Sequence, residues 1–274
     1  MSSTAPDWAD VEVAVPHPSV RLPGVGMAGF RQRTPAVWDI AMVAHPSVTL
    51  LLDLSDGYGA VYLAGGRRQR GTVAVGLLPG ELRATGVGVG ACLQIRLEPA
   101  VATAVLGSAA DLSGLMVPLD AVWGRGADRL QDRLCAATSW DDRFAIATGA
   151  LLARLGDRPR VDPEVAYVWR RTTAGRGRVR VDGLADEVGW SRKRLWSRFR
   201  TQLGITPKRA AQLVRFDHAA HLLAAGHGAA RVAAESGYVD QSHLHRESRT
   251  IAGLTPSAVA AAPWLAIDDV AWPR

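Results

Sequence analysis

Cysteine and lysine are the scarce residues of this 274-residue chain: Cys92 and Cys135 are its cysteines, Lys193 and Lys208 its lysines. Two cysteines without a patterned spacing exclude a disulfide scaffold and point to a reducing cytoplasm. No run approaches 18 apolar residues, so no membrane span is expected. The stretch from Met1 to Asp10 is acidic and lacks the basic-then-apolar pattern of a secretory signal. Before residue 200 the only histidines are His17 and His45, each followed by proline, so no histidine pair has metal-ligand spacing there. There is no Walker motif and no Gly-x-Ser-x-Gly elbow. No catalytic residue, metal ligand or cofactor is therefore expected.

What the chain has is a repeat, which is to be read before anything else. Leu184-Ala185-Asp186-Glu187-Val188-Gly189-Trp190 aligns with Val232-Ala233-Ala234-Glu235-Ser236-Gly237-Tyr238, 48 positions on. Leu195, Gly204, Thr206 and Pro207 recur 49 positions on as Leu244, Gly253, Thr255 and Pro256. Each copy reads as helix, Gly-containing turn, helix (184–203 and 232–253). In the first copy Gly189 suits a left-handed cap and Ser191 an N-cap. A helix from about Arg192 to Leu203 buries Leu195, Phe199 and Leu203 on one stripe. Lys193, Trp196, Ser197 and Arg200 share the opposite face. In the second copy Leu244 points inward, and Ser242, His245, Arg246 and Arg249 lie outward. A helix pair with this turn places its second helix in the DNA major groove.

These residues resemble the DNA-binding domain of the AraC/XylS family of bacterial transcription regulators. The first motif is Leu184-Ala185-x-x-x-Gly189-x-Ser191-x-x-x-Leu195-x-x-x-Phe199. Gly204-x-x-Pro207 and Arg215-x-x-x-Ala219-x-x-Leu222-Leu223 follow. The second motif runs from Val232-Ala233 through Gly237-Tyr238-x-Asp240-Gln241-Ser242-His243-Leu244-x-Arg246 to Gly253-x-x-Pro256. About 80 residues match in order and spacing. The resemblance implies two helix-turn-helix units joined by a long helix, about Pro207 to Ala225, acting on double-stranded DNA. It also brings in a small-molecule effector, RNA polymerase and a second copy of the chain (a homodimer) as partners. Helical position and resemblance together single out Arg192, Lys193, Arg194, Trp196, Ser197 and Arg200 in the first unit as DNA-binding. In the second unit they single out Gln241, Ser242, His243, His245, Arg246 and Arg249. Lys193, Trp196, Ser197, Ser242, His245 and Arg246 are expected at base edges; Arg194, Arg200 and Arg249 at phosphates.

Two departures from the family pattern stand out. Ser248 occupies a position where the family has a core Phe, and Ala210 one where Tyr or Phe is common. The second unit is therefore expected to be less tightly seated, unless Trp264 or another tail residue fills the gap. DNA-alkylation repair enzymes can carry this type of domain, but their four-cysteine zinc site cannot be built from two cysteines. An enzyme is disfavoured on that ground.

Charge follows the repeat. From Trp169 to Arg249 there are 16 Arg plus Lys against 7 Asp plus Glu, a balance of +9, while the whole chain is +6 and the remainder therefore −3. A phosphate-binding surface requires this asymmetry. The bland reading is that arginine is abundant throughout, as a GC-rich genome would make it.

The rest of the chain reads as α+β. Residues 1–160 form an N-terminal β-barrel or sandwich with accessory helices, for effector binding or interaction. Residues 161–274 form an all-α DNA-binding domain. Candidate strands are Ser47 to Leu54, Ala60 to Leu63, Thr72 to Leu78 and Cys92 to Leu97, separated by Gly-rich turns. Gly86-Val87-Gly88-Val89-Gly90 reads as a flexible turn. Helices are expected from Pro99 to Leu106, from Ala127 to Ala137, after Ser139, and after Asp162-Pro163. They pack on their own β region or pair two copies. The run from Leu97 to Asp120 resembles the N-terminal domain of actinobacterial AraC-like regulators. Linkers are expected at Gly156–Arg160 and Ala174–Arg178. Trp38, Tyr58 and Tyr62 are candidates for lining an effector pocket, against their being ordinary core or rim aromatics. A closed, mostly apolar cavity would favour an effector; a solid core would favour a domain used only for dimerisation or partner contact.

Overall fold

The computed structural model describes residues 8–42, 45–77, 81–156, 161–262, 265 and 267–272. Its strands are β1 (Val11–Ala14), β2 (Val25–Gln32), β3 (Ala36–Met42), β4 (Val48–Asp53), β5 (Val61–Ala64), β6 (Arg67–Arg70), β7 (Val73–Val75), β8 (Leu82–Gly88), β9 (Ala91–Leu97) and β10 (Met116–Pro118). They form a six-stranded sheet in the order β1-β2-β9-β4-β7-β10 and a four-stranded sheet in the order β3-β8-β5-β6. Every pairing is antiparallel. Among the described residues the sheets do not close into a barrel, so the sandwich is the form realised.

The helices are α1 (Pro99–Leu106), α2 (Asp120–Trp123), α3 (Arg125–Ala136), α4 (Trp140–Leu155), α5 (Pro163–Ala174), α6 (Val181–Glu187), α7 (Arg192–Leu203), α8 (Pro207–Ala224), α9 (Ala229–Ser236), α10 (Gln241–Ala252), α11 (Pro256–Ala260) and α12 (Asp268–Ala271). The strand period of two divides the large sheet between two surroundings. On β9, Leu93, Ile95 and Leu97 join a core with Val105 and Leu106 of α1. Cys92, Gln94 and Arg96 alternate with them and face the small sheet. On β4, Val48, Leu50 and Leu52 face the helices, while Leu51 packs with Trp38 and Tyr62 of the small sheet. Burial on both faces explains why β4 reads as a continuous apolar run.

Three expectations change. Gly86 to Gly88 ends β8 and is no flexible turn. Gly86 pairs across from Trp38, and a Cβ at Gly86 would come within 2.2 Å of that indole ring. The glycine leaves the room in which the ring lies. Ala174 to Arg178 is not a loose linker either. Gly177 is buried at φ +71°, where a Cβ would meet the Ala211 carbonyl oxygen of α8 at 2.2 Å. The turn is thus clamped to the helix that spaces the two units. Finally, β2 and β3 fill a region without a predicted strand. The other linker expectation and the Trp264 filling fall on 157–160 and 264, outside the described residues.

Candidate nucleic-acid interface and interior cavity

The repeat extends to the caps. The Ser191 hydroxyl accepts from the Arg194 backbone N–H at 3.2 Å, and the Asp240 carboxylate accepts from His243 N–H at 2.7 Å. Each caps the second helix of its unit. Both helices end on a left-handed glycine, Gly204 (φ +76°) and Gly253 (φ +72°). Thr206 and Thr255 then cap α8 and α11, with Pro207 and Pro256 at the first helical positions.

α7 buries Leu195, Phe199 and Leu203 completely. Arg192, Lys193, Arg194, Ser197 and Arg200 are exposed, and Trp196 is half-buried. Not all these cations are equally available. Arg192 pairs with Asp182 of α6 at 2.7 Å, and Arg194 lies over the Trp190 ring at 4.5 Å. Arg198, which sequence reasoning did not select, is held by both carboxylate oxygens of Asp162 at 2.7 and 2.8 Å. Those hydrogen bonds hold the Asp162 carboxyl below its usual range. The side chains of Lys193 and Arg200 meet no charged partner among the described residues, nor do those of Arg246 and Arg249. On α10, Gln241, Ser242, His245, Arg246 and Arg249 are exposed. His243 is turned inward: its ring meets Tyr238 edge-on at 5.2 Å, and Nε2 lies 3.9 Å from Glu247. It belongs to the seating of the helix rather than to the outer face.

The expected looseness of the second unit is not what the structure holds. Ser248 is fully buried, and its hydroxyl donates to the Leu254 carbonyl at 2.8 Å. Beside it, buried Glu247 accepts from Arg215 of α8 through both oxygens, at 3.1 and 2.5 Å, and from the Tyr238 hydroxyl at 2.8 Å. Arg215 also lies 4.7 Å over the Tyr238 ring. Burial first, then the Glu247 charge, pushes the Tyr238 phenol up. A charged network thus ties α10 to the spacing helix where an aromatic plug was missing. Arg215 lay in the quoted motif, but its partner Glu247 carried no signal by position alone. Ala210 is fully buried in the same apolar core.

Between the two sheets lies a cavity of about 160 Å³. It is comparable to the roughly 150 Å³ apolar cavities that bind benzene. Trp38 and Tyr62 line it, with Leu51, Ala84 and Cys92. Tyr58 does not: it is 83% exposed, on the turn after β4. Burial pushes the Tyr62 phenol well up and the Cys92 thiol up to about 12, so neither ionises near neutrality. One end of the lining carries His45, Ser47, Thr49 and Arg96, and the other carries Gln32 and Ser55 beside Trp38. Burial first, then the Arg96 charge, holds His45 well below its ordinary pKa, and so neutral. Among the described residues, no group of three or more His, Cys, Asp or Glu could hold a metal ion. None of their helices is long and apolar enough to cross a membrane.

Two capped helix pairs on a rigid spacer, carried beside a β-sandwich, define a double helix-turn-helix protein with an accessory domain. Residues 184–262 match a family model described as a helix-turn-helix domain. The match takes in both helix-turn-helix units and the helix between them, and leaves the sandwich domain outside it. ToxT from Vibrio cholerae O395, in a structure bound to (E)-4-(8-methylnaphthalen-1-yl)but-3-enoic acid, is similar over 87% of this chain and 99% of its own, at 11% identity and a TM-score of 0.50. An apo ToxT variant from Vibrio cholerae strain SCE256 is similar over 88% and 98%, at 10% identity and a TM-score of 0.50. The C-terminal domain of AraT, a response regulator from Geobacillus stearothermophilus, aligns with 38% of this chain and 88% of its own, at 19% identity and a TM-score of 0.36. No curated protein matches the chain.

Proposed function

We propose that the chain is a sequence-specific transcription regulator whose two recognition helices read successive major-groove segments, and whose sandwich domain modulates it by binding a small molecule. The observation that carries the first part is the matched pair of capped helices, α7 and α10, with uncommitted cations on both outer faces. Lys193, Ser197, Ser242, His245 and Arg246 are the base-reading set; Arg200 and Arg249 anchor phosphates. The division of labour lies near residue 160, with the DNA-binding part in 161–274.

The cavity supports the second part. A mostly apolar lining with a few placed polar groups is what a small-molecule site needs. A domain used only for dimerisation has no need of an unfilled interior. The ligand in the ToxT structure joins an aromatic ring system to a carboxylic acid. Here the ring would meet the Trp38 end of the cavity, and an acid would find Arg96. The test is binding of the full chain to a duplex of random sequence, measured against salt with and without small aromatic acids. Affinity falls steeply as salt rises, because Arg and Lys displace condensed counterions. A folded protein without DNA affinity at low salt would overturn this function.

A further inference from the structure

The Arg96 end of the cavity is covered by the far end of the chain. Ile267, Asp268 and Trp272 line it, although they follow both helix-turn-helix units in sequence. The Trp272 ring packs on Gly26 of β2, where a Cβ would stand 3.0 Å from it, and lies 4.0 Å from the Arg96 guanidinium. Arg96 Nη2 donates to Asp268 Oδ1 at 2.8 Å and Nη1 to Oδ2 at 3.4 Å.

We propose that residues 267–272 are an internal occupant of the cavity mouth: the Asp268 carboxylate holds Arg96 until an apolar molecule bearing its own carboxylate displaces it. This rests on the cavity being the effector site. The chemistry of the site selects the class of ligand. Two lining groups are buried donors without a protein partner, the Trp38 indole N–H and Arg96 Nε–H. Orphan donors call for acceptors, so a cation is excluded and an anion is favoured. Between Cys92, near the Trp38 end, and Arg96 lie four strand steps, roughly 13 Å. An elongated apolar body with one terminal carboxylate lies along that distance.

The exchange has a path to the DNA-reading helices. Asp268 Oδ2 also accepts from His221 Nε2 on α8 at 2.8 Å, and His45 at the cavity rim lies 3.6 Å from Asp217 of the same helix. Asp268 is thus the shared carboxylate between strand β9 of the sandwich and the helix that spaces α7 and α10. A ligand that takes Arg96 leaves Asp268 with His221 alone. The sandwich then loses this hold on α8.

The test is calorimetric binding of 4-phenylbutanoate, its uncharged amide and indole to the full chain and to Asp268→Asn, Arg96→Gln and Trp272→Ala. If the closed tail occupies the site nine-tenths of the time, Asp268→Asn binds phenylbutanoate roughly tenfold more tightly than the wild type. The amide gains nothing. Trp272→Ala shifts the same way by less, which keeps the test open should Asp268→Asn fold poorly. Arg96→Gln loses the acid and keeps indole. In the wild type, phenylbutanoate speeds amide exchange in 267–272. Unchanged phenylbutanoate affinity in both Asp268→Asn and Trp272→Ala, with indole still bound, overturns the displacement and leaves the effector cavity standing. Absence of binding by every probe to every protein overturns both.

Discussion

At the scale of single residues, partners decide which arginines are free for DNA. Arg192 and Arg198 spend their charge on Asp182 and Asp162, whereas Arg200 and Arg246 are exposed and unpaired among the described residues. Replacing Arg246 by Ala should cost about 1–3 kcal/mol at the preferred site and relax preference at one base position. Replacing Arg200 should weaken all sequences alike and reduce the salt slope by about 1. Competition binding with matched and mismatched duplexes separates the two, and undiminished selectivity in Arg246→Ala would remove it from the reading set. The two left-handed glycines give a second contrast. A side chain in that conformation costs roughly 1–2 kcal/mol. Gly253→Ala should cost about that, since its nearest neighbour is Glu81 Cβ at 3.9 Å. Gly204→Ala should cost more, because its Cβ would meet Ser113 Cβ at 2.5 Å and the Ala110 backbone at 2.8 Å. Equal unfolding midpoints would show that the α7 end does not dock on the sandwich domain as described.

Elements were legible in the sequence where local signals and tertiary packing agree. The span of α7 was readable because Ser191, the Leu195/Phe199/Leu203 stripe and Gly204 all act within one helix. β2 was not, because Gly26 and Gly29 weaken a strand pattern locally. Their reason is remote: Trp272 packs over Gly26, and a Cβ at Gly29 would lie 2.3 Å from the Trp140 ring of α4. Gly86 yields to Trp38 in the same way. Tryptophans from distant segments supply the missing side-chain volume, and periodicity cannot see them. The candidate site divides similarly. The outer faces of α7 and α10 follow from helical spacing, whereas the inward turn of His243 and the pairing of Glu247 with Arg215 need the fold. That pairing yields a further expectation. Glu247→Ala strands Arg215 in a buried setting and should destabilise by about 3–5 kcal/mol. Denaturant unfolding measures it; a loss under 1 kcal/mol would mean that apolar contacts alone seat α10.

At the scale of the whole molecule, Asp268 is one of the points where the sandwich and the helical part meet, and that junction titrates. The hydrogen bond to Asp268 raises the His221 pKa to about 9, with Asp217 adding to it and burial opposing. Burial would raise the Asp268 carboxyl, but His221 and Arg96 outweigh it and hold it well below the usual range. His45 faces the same cluster and stays neutral. A histidine raised on folding stabilises fully below its ordinary pKa of 6.5 and loses that contribution as pH climbs to about 9. The wild type should therefore exceed His221→Gln in thermal stability at pH 6 and approach it above pH 9; a constant difference would deny the protonated pair. The two units and their spacer make the strongest demand on DNA. The 274-residue chain should select, from a random duplex pool, two short conserved blocks whose centres lie about 10–10.5 base pairs apart, one helical turn. Arg246→Ala should erase preference in one block only. A single block, blocks at variable spacing, or no enrichment at all would contradict a rigid pair of reading helices.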